Sequence, residues 1–327
     1  LLLSQMSFPL RFKSFLSVSG SLFLVTALIS CANPKQPAPN KDQSKLNVVT
    51  TFLPITLFTE AVAGECAVVT ALIPPNLGPH DFQAKPADIA SLSNAAVLVK
   101  NGLGMEYFLD KLTKSANNDS LQVIDTSRGV AVIRSDDDTD DDRDGANDDE
   151  QDQGEVNPHI WLDPLRAIQQ VNNIRDGLVK ADPDCTKGYT ERAAAYSAQL
   201  MELNATFATQ LRPFRGKTFI AFHDFAPYFA ERYGLKADFV VDVPEMNPTP
   251  ADLQRVSNKV KQTQLKALLS EPQEGNRSFN ALAEDLGVNV VTFDPLETGS
   301  EEASKRPDTY LSVMRSNVAS LIKSFGG

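Results

Sequence analysis

The sequence predicts an α/β protein: two lobes with mostly parallel sheets flanked by helices, joined by one long connector helix. Three observations predict it. From residue 46 onward, short β-rich runs alternate with amphipathic helical stretches, as parallel strands with crossover helices require. At 327 residues the chain is too long for one small core. An unbroken helical pattern also lies near the middle, where two halves would meet.

Residues 1–30 read as an export signal. Arg11 and Lys13 supply a positive region, and Phe15 to Ile29 a short apolar one. The chain opens on leucine, and Met6 is a candidate start that would give a more compact signal. Leu28-Ile29-Ser30-Cys31 is similar to the bacterial lipobox, which makes Cys31 the expected lipidation site. An ordinary cleaved signal with an incidental cysteine is the alternative. Residues 31–45 carry Pro34, Pro37 and Pro39 among polar neighbours, a semi-extended tether between an anchor and a domain.

The N-terminal lobe is expected over 46–186, with strands at Asn47–Phe52, Ala67–Leu72, Ala96–Lys100 and Gln122–Asp125. Pro86-Ala87-Asp88-Ile89 opens a helix with proline in the first turn and an acid near its positive end. Between residues 189 and 211, Tyr189, Ala193, Tyr196, Leu200, Leu203 and Phe207 recur at spacings of three and four, with no glycine or proline. This is the connector, placed at 187–213. The C-terminal lobe follows over 214–327, with strands at Thr218–Phe222, Phe239–Val243, Ala267–Ser270 and Val288–Phe293. Thr249-Pro250-Ala251-Asp252 starts a helix there and echoes the Pro86 segment, a faint sign of two similar lobes.

Composition narrows function. Hydrophobic content of 42% and charged content of 22% are ordinary for a soluble globular protein. No apolar run reaches the roughly 18 to 20 residues that span a bilayer. The net charge of −11 is carried entirely by Asp136–Glu155, which holds ten Asp, two Glu and one Arg. Everything else sums to zero, so no basic face for nucleic acid is expected. The like charges cannot build a core and predict a disordered loop over 134–156. Within it, Asp140-x-Asp142-x-Asp144-Gly145 matches the start of a calcium loop, but the closing acid falls on Gln151.

Of three cysteines, Cys66 and Cys185 remain if Cys31 is acylated, and in an oxidising compartment they are expected to pair. Free buried thiols are the alternative.

The chemistry concentrates on the three histidines. His80 stands in Gly78-Pro79-His80-Asp81-Phe82, His159 in Asn157-Pro158-His159-Ile160-Trp161-Leu162-Asp163-Pro164, and His223 in Phe222-His223-Asp224. Neutral imidazole is the commonest protein ligand for zinc, and three converging on one point nearly complete a tetrahedral shell. Open α/β sheets bind ligands beyond the carboxyl ends of their strands, where these residues are predicted. Asp294, in Phe293-Asp294-Pro295-Leu296, also ends a predicted strand and is the natural fourth ligand; as a plain turn residue it would leave that place to water or another carboxylate. Asp81, Asp163 and Asp224 sit beside the histidines, to orient imidazoles or to cap helices, with capping favoured for Asp163 because Pro164 follows it.

These motifs, together with Tyr233-Gly234-Leu235, Pro248-Thr249-Pro250-Ala251-Asp252-Leu253 and Asp294-Pro295-Leu296, resemble those of the cluster A-I substrate-binding proteins of zinc and manganese ABC transporters. The resemblance covers about residues 46–327. It implies two α/β lobes joined by one long helix, a metal buried between them, and delivery of that ion to a membrane permease. Carried over by position, the ligands are His80, His159, His223 and Asp294. The resemblance points to zinc as the ion, because manganese members usually carry a carboxylate at the place of His223; Mn2+ is the alternative. Zinc members often have a histidine-rich loop where this chain has aspartates. The expected protein is a monomer, lipid-anchored to a bacterial membrane and facing the periplasm or cell surface. A zinc hydrolase would need an open coordination position and a nearby general base; an adhesin would act through the acidic loop.

Overall fold

Strand and helix alternate to build two sheets rather than one. The computed structural model describes residues 45–134, 156–244, 246–272 and 277–326. The expected signal, Cys31, the acidic segment 135–155 and its calcium-like stretch lie outside the described residues.

The first half runs β1 (Leu46–Thr50), α1 (Leu53–Ala63), β2 (Ala67–Ala71), α2 (Pro86–Ser93), β3 (Val97–Lys100), α3 (Leu109–Ala116) and β4 (Gln122–Asp125). Its strands pair in parallel in the order β2-β1-β3-β4. Two helices, α4 (Pro164–Ala181) and α5 (Thr186–Leu211), lead to the second half. That half runs β5 (Thr218–His223), α6 (Pro227–Tyr233), β6 (Lys236–Val241), α7 (Pro250–Thr263), β7 (Ala267–Ser270), α8 (Arg277–Leu286) and β8 (Asn289–Thr292), and is closed by α9 (Glu301–Ser304) and α10 (Thr309–Ser324). The order β6-β5-β7-β8, again all parallel, repeats the first sheet strand for strand.

Seven of the eight expected strands coincide with the observed ones to within two residues at either end. The exception is β6, expected from Phe239 but already paired at Lys236. It is an edge strand, so Lys236 is exposed and Asp238 is held by Arg255 and Lys259, and the apolar run begins late. By contrast, the inner strand β3 buries Val97, Leu98 and Val99 completely and reads as a continuous apolar run.

The echo between the two helix starts has a topological meaning: α2 and α7 each connect the second strand of a sheet to its third. Thr249 caps α7, its hydroxyl accepting from Asp252 N–H while the Asp252 carboxylate accepts from Thr249 N–H. At α2, Asp88 likewise accepts the Lys85 N–H at 2.6 Å.

The connector α5 has 26 residues, about 39 Å at 1.5 Å per residue. The stripe read from the sequence is the one it buries, with Leu211 added, against α1, α4 and α10. Each large side chain there contributes roughly 1.5–3 kcal/mol by leaving water. One hydrophobic cluster runs through both halves, from Val48 and Phe58 to Phe229, Phe293 and Tyr310. Cys66 and Cys185, 119 residues apart, form a disulfide that ties the end of α1 to the start of α5. Closing so long a loop stabilises by about 5 kcal/mol in the chain-entropy model. Among the described residues no helix is long and apolar enough to cross a membrane.

Candidate metal centre

The carboxyl ends of the strands position the site. His223 is the last residue of β5, so its backbone is fixed by pairing with β6 at Val241. His159 precedes a short helical turn, Ile160–Leu162, whose residues are fully buried. His80 lies in the irregular stretch between β2 and α2. Glu297 follows β8, just past a tight turn at Asp294–Leu296.

Four donor atoms meet: the three histidines and Glu297 each present one atom, all within 4.8 Å of one another. Glu297 Oε1 lies 2.9 Å from His159 Nε2, 3.3 Å from His223 Nε2 and 3.7 Å from His80 Nε2, and the His159 and His223 Nε2 atoms are 3.4 Å apart. Zinc–nitrogen bonds of about 2.0–2.1 Å give a tetrahedron with edges of about 3.3–3.4 Å. The four separations scatter around that length. His159, His223 and Glu297 are buried, while the His80 side chain keeps 16% exposure.

Hydrogen bonds decide which ring nitrogen faces the centre. Asn157 donates its amide to the Asp224 backbone oxygen at 2.7 Å and carboxylate at 3.0 Å, so its own oxygen faces His159 Nδ1 at 3.0 Å. That oxygen also accepts the His159 N–H at 3.1 Å. Nδ1 therefore carries the proton, and the Nε2 lone pair points at a carboxylate oxygen 2.9 Å away. Two acceptors at that distance call for a cation between them. His223 Nδ1 faces Glu271 Oε1 at 2.6 Å, which likewise leaves Nε2 for the centre.

Charge follows burial and partners. Burial lowers the His159 pKa to about 4 against the opposing pull of Glu297, so its ring is neutral near pH 7. Burial alone would lower His223 too, but the carboxylates of Glu271 and Glu297 outweigh it and raise its pKa to about 10. Burial would raise Glu297; the positive charge of His223 beside it reverses this and holds it well below the ordinary carboxylate range. The proton that His223 therefore holds near pH 7 is one that a bound cation would displace.

The structure thus brings His80, His159 and His223 together and corrects the fourth position. Asp294 is outside the group. Its Oδ1 accepts the Leu296 N–H at 2.7 Å, while Asn317 holds its backbone on both sides, at 2.8 and 2.7 Å. This turn sets Leu296 at φ 65°, a left-handed conformation unusual for leucine. Asp294 shapes the bend that swings Glu297 inward, and burial raises its own carboxyl to about 6.

The remaining acids separate by role. Asp163 caps α4 by accepting the Leu165 N–H at 2.9 Å and is gripped by Arg166 and Arg232. Asp224 reaches His159 through Asn157. Asp81 is exposed. Trp161, at 5.1 Å from the His159 ring, donates to Pro295 O at 2.8 Å and so ties the His159 segment to the Glu297 turn. Sequence reasoning missed Glu271, Glu297 and Asn157. Glu271 directly follows β7, as His223 ends β5, and strand-end position was the available signal. Glu297 lies beyond the strand end, where only the turn delivers it.

Comparison with known proteins follows the same line. The family described as zinc-uptake complex component A, periplasmic, matches residues 48–324. The chain belongs to this family. Zinc-binding lipoprotein AdcA of Streptococcus pneumoniae is 31% identical over 295 residues, 90% of this chain. The match spans only 58% of that relative's length. The high-affinity zinc uptake system protein ZnuA of Bacillus subtilis is 28% identical over 317 residues, 94% of this chain and 96% of the relative. The crystal structure of the Zn(II)-bound ZnuA-like domain of S. pneumoniae AdcA superposes with a TM-score of 0.71 at 30% identity, covering 86% of this chain and 98% of that one. Two lobes with parallel sheets are thus the family's architecture.

Proposed function

We propose that this protein captures a zinc ion outside the cytoplasm and delivers it to the permease of an ABC importer. The observation that carries this reading is the near-tetrahedral convergence of three imidazole Nε2 atoms and one carboxylate oxygen in a buried centre. His80, His159, His223 and Glu297 are the ligands in this reading. Three nitrogens and one oxygen suit zinc better than the harder manganese. Zinc is the cargo: neutral imidazoles and a carboxylate replace its water, and nothing is turned over. Four protein donors close the shell, whereas a hydrolase keeps one position open for water. The printed names of the relatives, zinc-binding lipoprotein and zinc uptake protein, support the same reading. Lipidation at Cys31 and a monomeric state complete the proposal.

Metal analysis of the purified protein under competing zinc and manganese tests it. One equivalent of zinc is expected in the wild type, with selectivity moving toward manganese in His223→Glu. A manganese-preferring wild type would overturn the metal assignment; a wild type that retains neither ion would overturn the capture role.

A further inference from the structure

The half-buried cystine lies away from the metal centre: Cys66 precedes β2, at the opposite end of the sheet from the carboxyl ends, and Cys185 precedes α5. Its surroundings act on the sulfurs themselves. Arg192, on α5, places Nη2 3.1 Å from Cys66 Sγ. The guanidinium is fixed there by bonds to Val62 O at 2.8 Å and Ala63 O at 2.7 Å, and sits 5.7 Å from the centre of the Tyr189 ring. Two glycines make room for it. A Cβ on Gly64, at φ +49°, would meet Arg192 Nε at 2.6 Å; one on Gly188 would meet Nη1 at 2.9 Å and Cys185 Sγ at 3.3 Å. Cys185 itself occupies the N-cap of the 26-residue α5, at the positive end of the helix.

A structural role explains part of this, since Arg192 also satisfies carbonyls at the end of α1. It does not explain why both sulfurs sit beside positive charge. A guanidinium and a helix N-terminus each favour thiolate over thiol. We infer that Cys66–Cys185 is a reducible, redox-active pair, built to exchange with an external dithiol, with Cys66 as the stabilised leaving thiolate. The reductant's thiolate attacks Cys185 Sγ; the Sγ–Sγ bond breaks and its electron pair leaves on Cys66 Sγ beside Arg192. The reductant's second thiolate then attacks its own sulfur in the mixed disulfide, and the pair leaves on Cys185 Sγ at the α5 N-terminus. The dithiol is oxidised to its disulfide, the cystine gains the two electrons, and the dithiol's protons pass to solvent or to the product sulfurs. Stabilised thiolate products draw the equilibrium toward the reduced pair. Reduction loosens the tie between α1 and α5 and leaves the metal ligands in place.

The test equilibrates the purified full chain with dithiothreitol and its oxidised form, traps free thiols by alkylation and counts them by mass spectrometry. Arg192→Gln should shift the equilibrium at least about tenfold toward cystine, about 30 mV for this two-electron couple. Arg192→Lys, which keeps the charge, should shift it less. An Arg192→Gln equilibrium within about twofold of wild type overturns the proposal. Because loss of the bonds to α1 could disturb the fold, a second measurement uses Cys185→Ala and follows the rate of Cys66 alkylation against pH. A midpoint below about 8.5, the ordinary thiol value, is expected; a midpoint at or above it overturns the assignment of Cys66.

Discussion

The two sheets share one strand order yet contribute unequally to the centre. The second sheet supplies His223 from the end of β5, Glu271 from the end of β7 and Glu297 from beyond β8, all buried. The first half supplies His80, from an irregular stretch, and His159, from the segment between β4 and α4; of the four donor residues His80 is the one partly exposed. At the carboxyl end of the first sheet the buried acid is Glu106, whose carboxylate is spent on Thr51 Oγ1 and on the N–H groups of Asn101 and Gly102. Asn101 in turn donates to Pro158 O at 3.0 Å, the residue before His159. A repeated topology therefore sets where a site can form, and the segments beyond the strand ends decide how deeply each donor is buried and braced.

The largest effects should come from breaking the buried side of this asymmetry. His223→Ala and Glu297→Ala are each expected to weaken zinc binding by more than about 100-fold, beyond what loss of an outer-shell partner costs. His80→Ala should lose less, because water can enter at the exposed corner. Competition with a chromophoric chelator measures all three, and equal losses would erase the distinction between the exposed donor and the buried ones.

Glu271→Gln comes next, with an expected loss of about 10- to 100-fold, since the carboxylate orients His223 and strengthens its Nε2 as a donor. The pH dependence sharpens this. With its pKa raised to about 10, His223 holds a proton at neutral pH that zinc must displace. Affinity should rise by about tenfold per pH unit from pH 6 to 8.5, rather than levelling off above the unperturbed imidazole value near 6.5. Calorimetry in buffers of different ionisation enthalpy should find close to one proton released per zinc. For the metal-free fold the sign is opposite. The raised pKa contributes stability that is complete below about 6.5 and lost as pH climbs through about 10, so the thermal midpoint of metal-free protein should fall over that range.

Asp294→Ala should have a smaller effect on zinc, less than about 10-fold, together with about 1 kcal/mol of lost stability from the broken turn. A loss as large as that of Glu297→Ala would reinstate Asp294 as a ligand. Cys66→Ala with Cys185→Ala should leave zinc affinity within about twofold while removing less stability in chemical denaturation than the roughly 5 kcal/mol of the chain-entropy model, because whatever favours the reduced pair is subtracted from it. A matching drop in zinc affinity would join the cystine to the site.

Much of the fold is legible in the sequence alone. The connector stripe from Tyr189 to Phe207 is a local period, and side chains three and four apart share a helix face whatever surrounds them. The strand runs and proline-opened helices are legible for the same reason, and the pairing of Cys66 with Cys185 follows from their being the two cysteines left beside Cys31. The three histidines stood out because each sits in a compact motif at a predicted strand or helix boundary. The start of the edge strand β6 is not legible because its first residues answer to solvent.

What the sequence by itself determined, then, was the kind of protein: parallel α/β halves, a long joining helix, and imidazoles placed where strands end. Only the tertiary structure decided between Asp294 and Glu297. Both follow the same strand within five residues, and a carboxylate's identity says nothing about its direction. A left-handed Leu296, held by the Asp294 side chain, turns the chain through the last few ångströms. Coordination depends on distances of that size, and they are fixed by packing between segments 138 residues apart, beyond the reach of any local pattern.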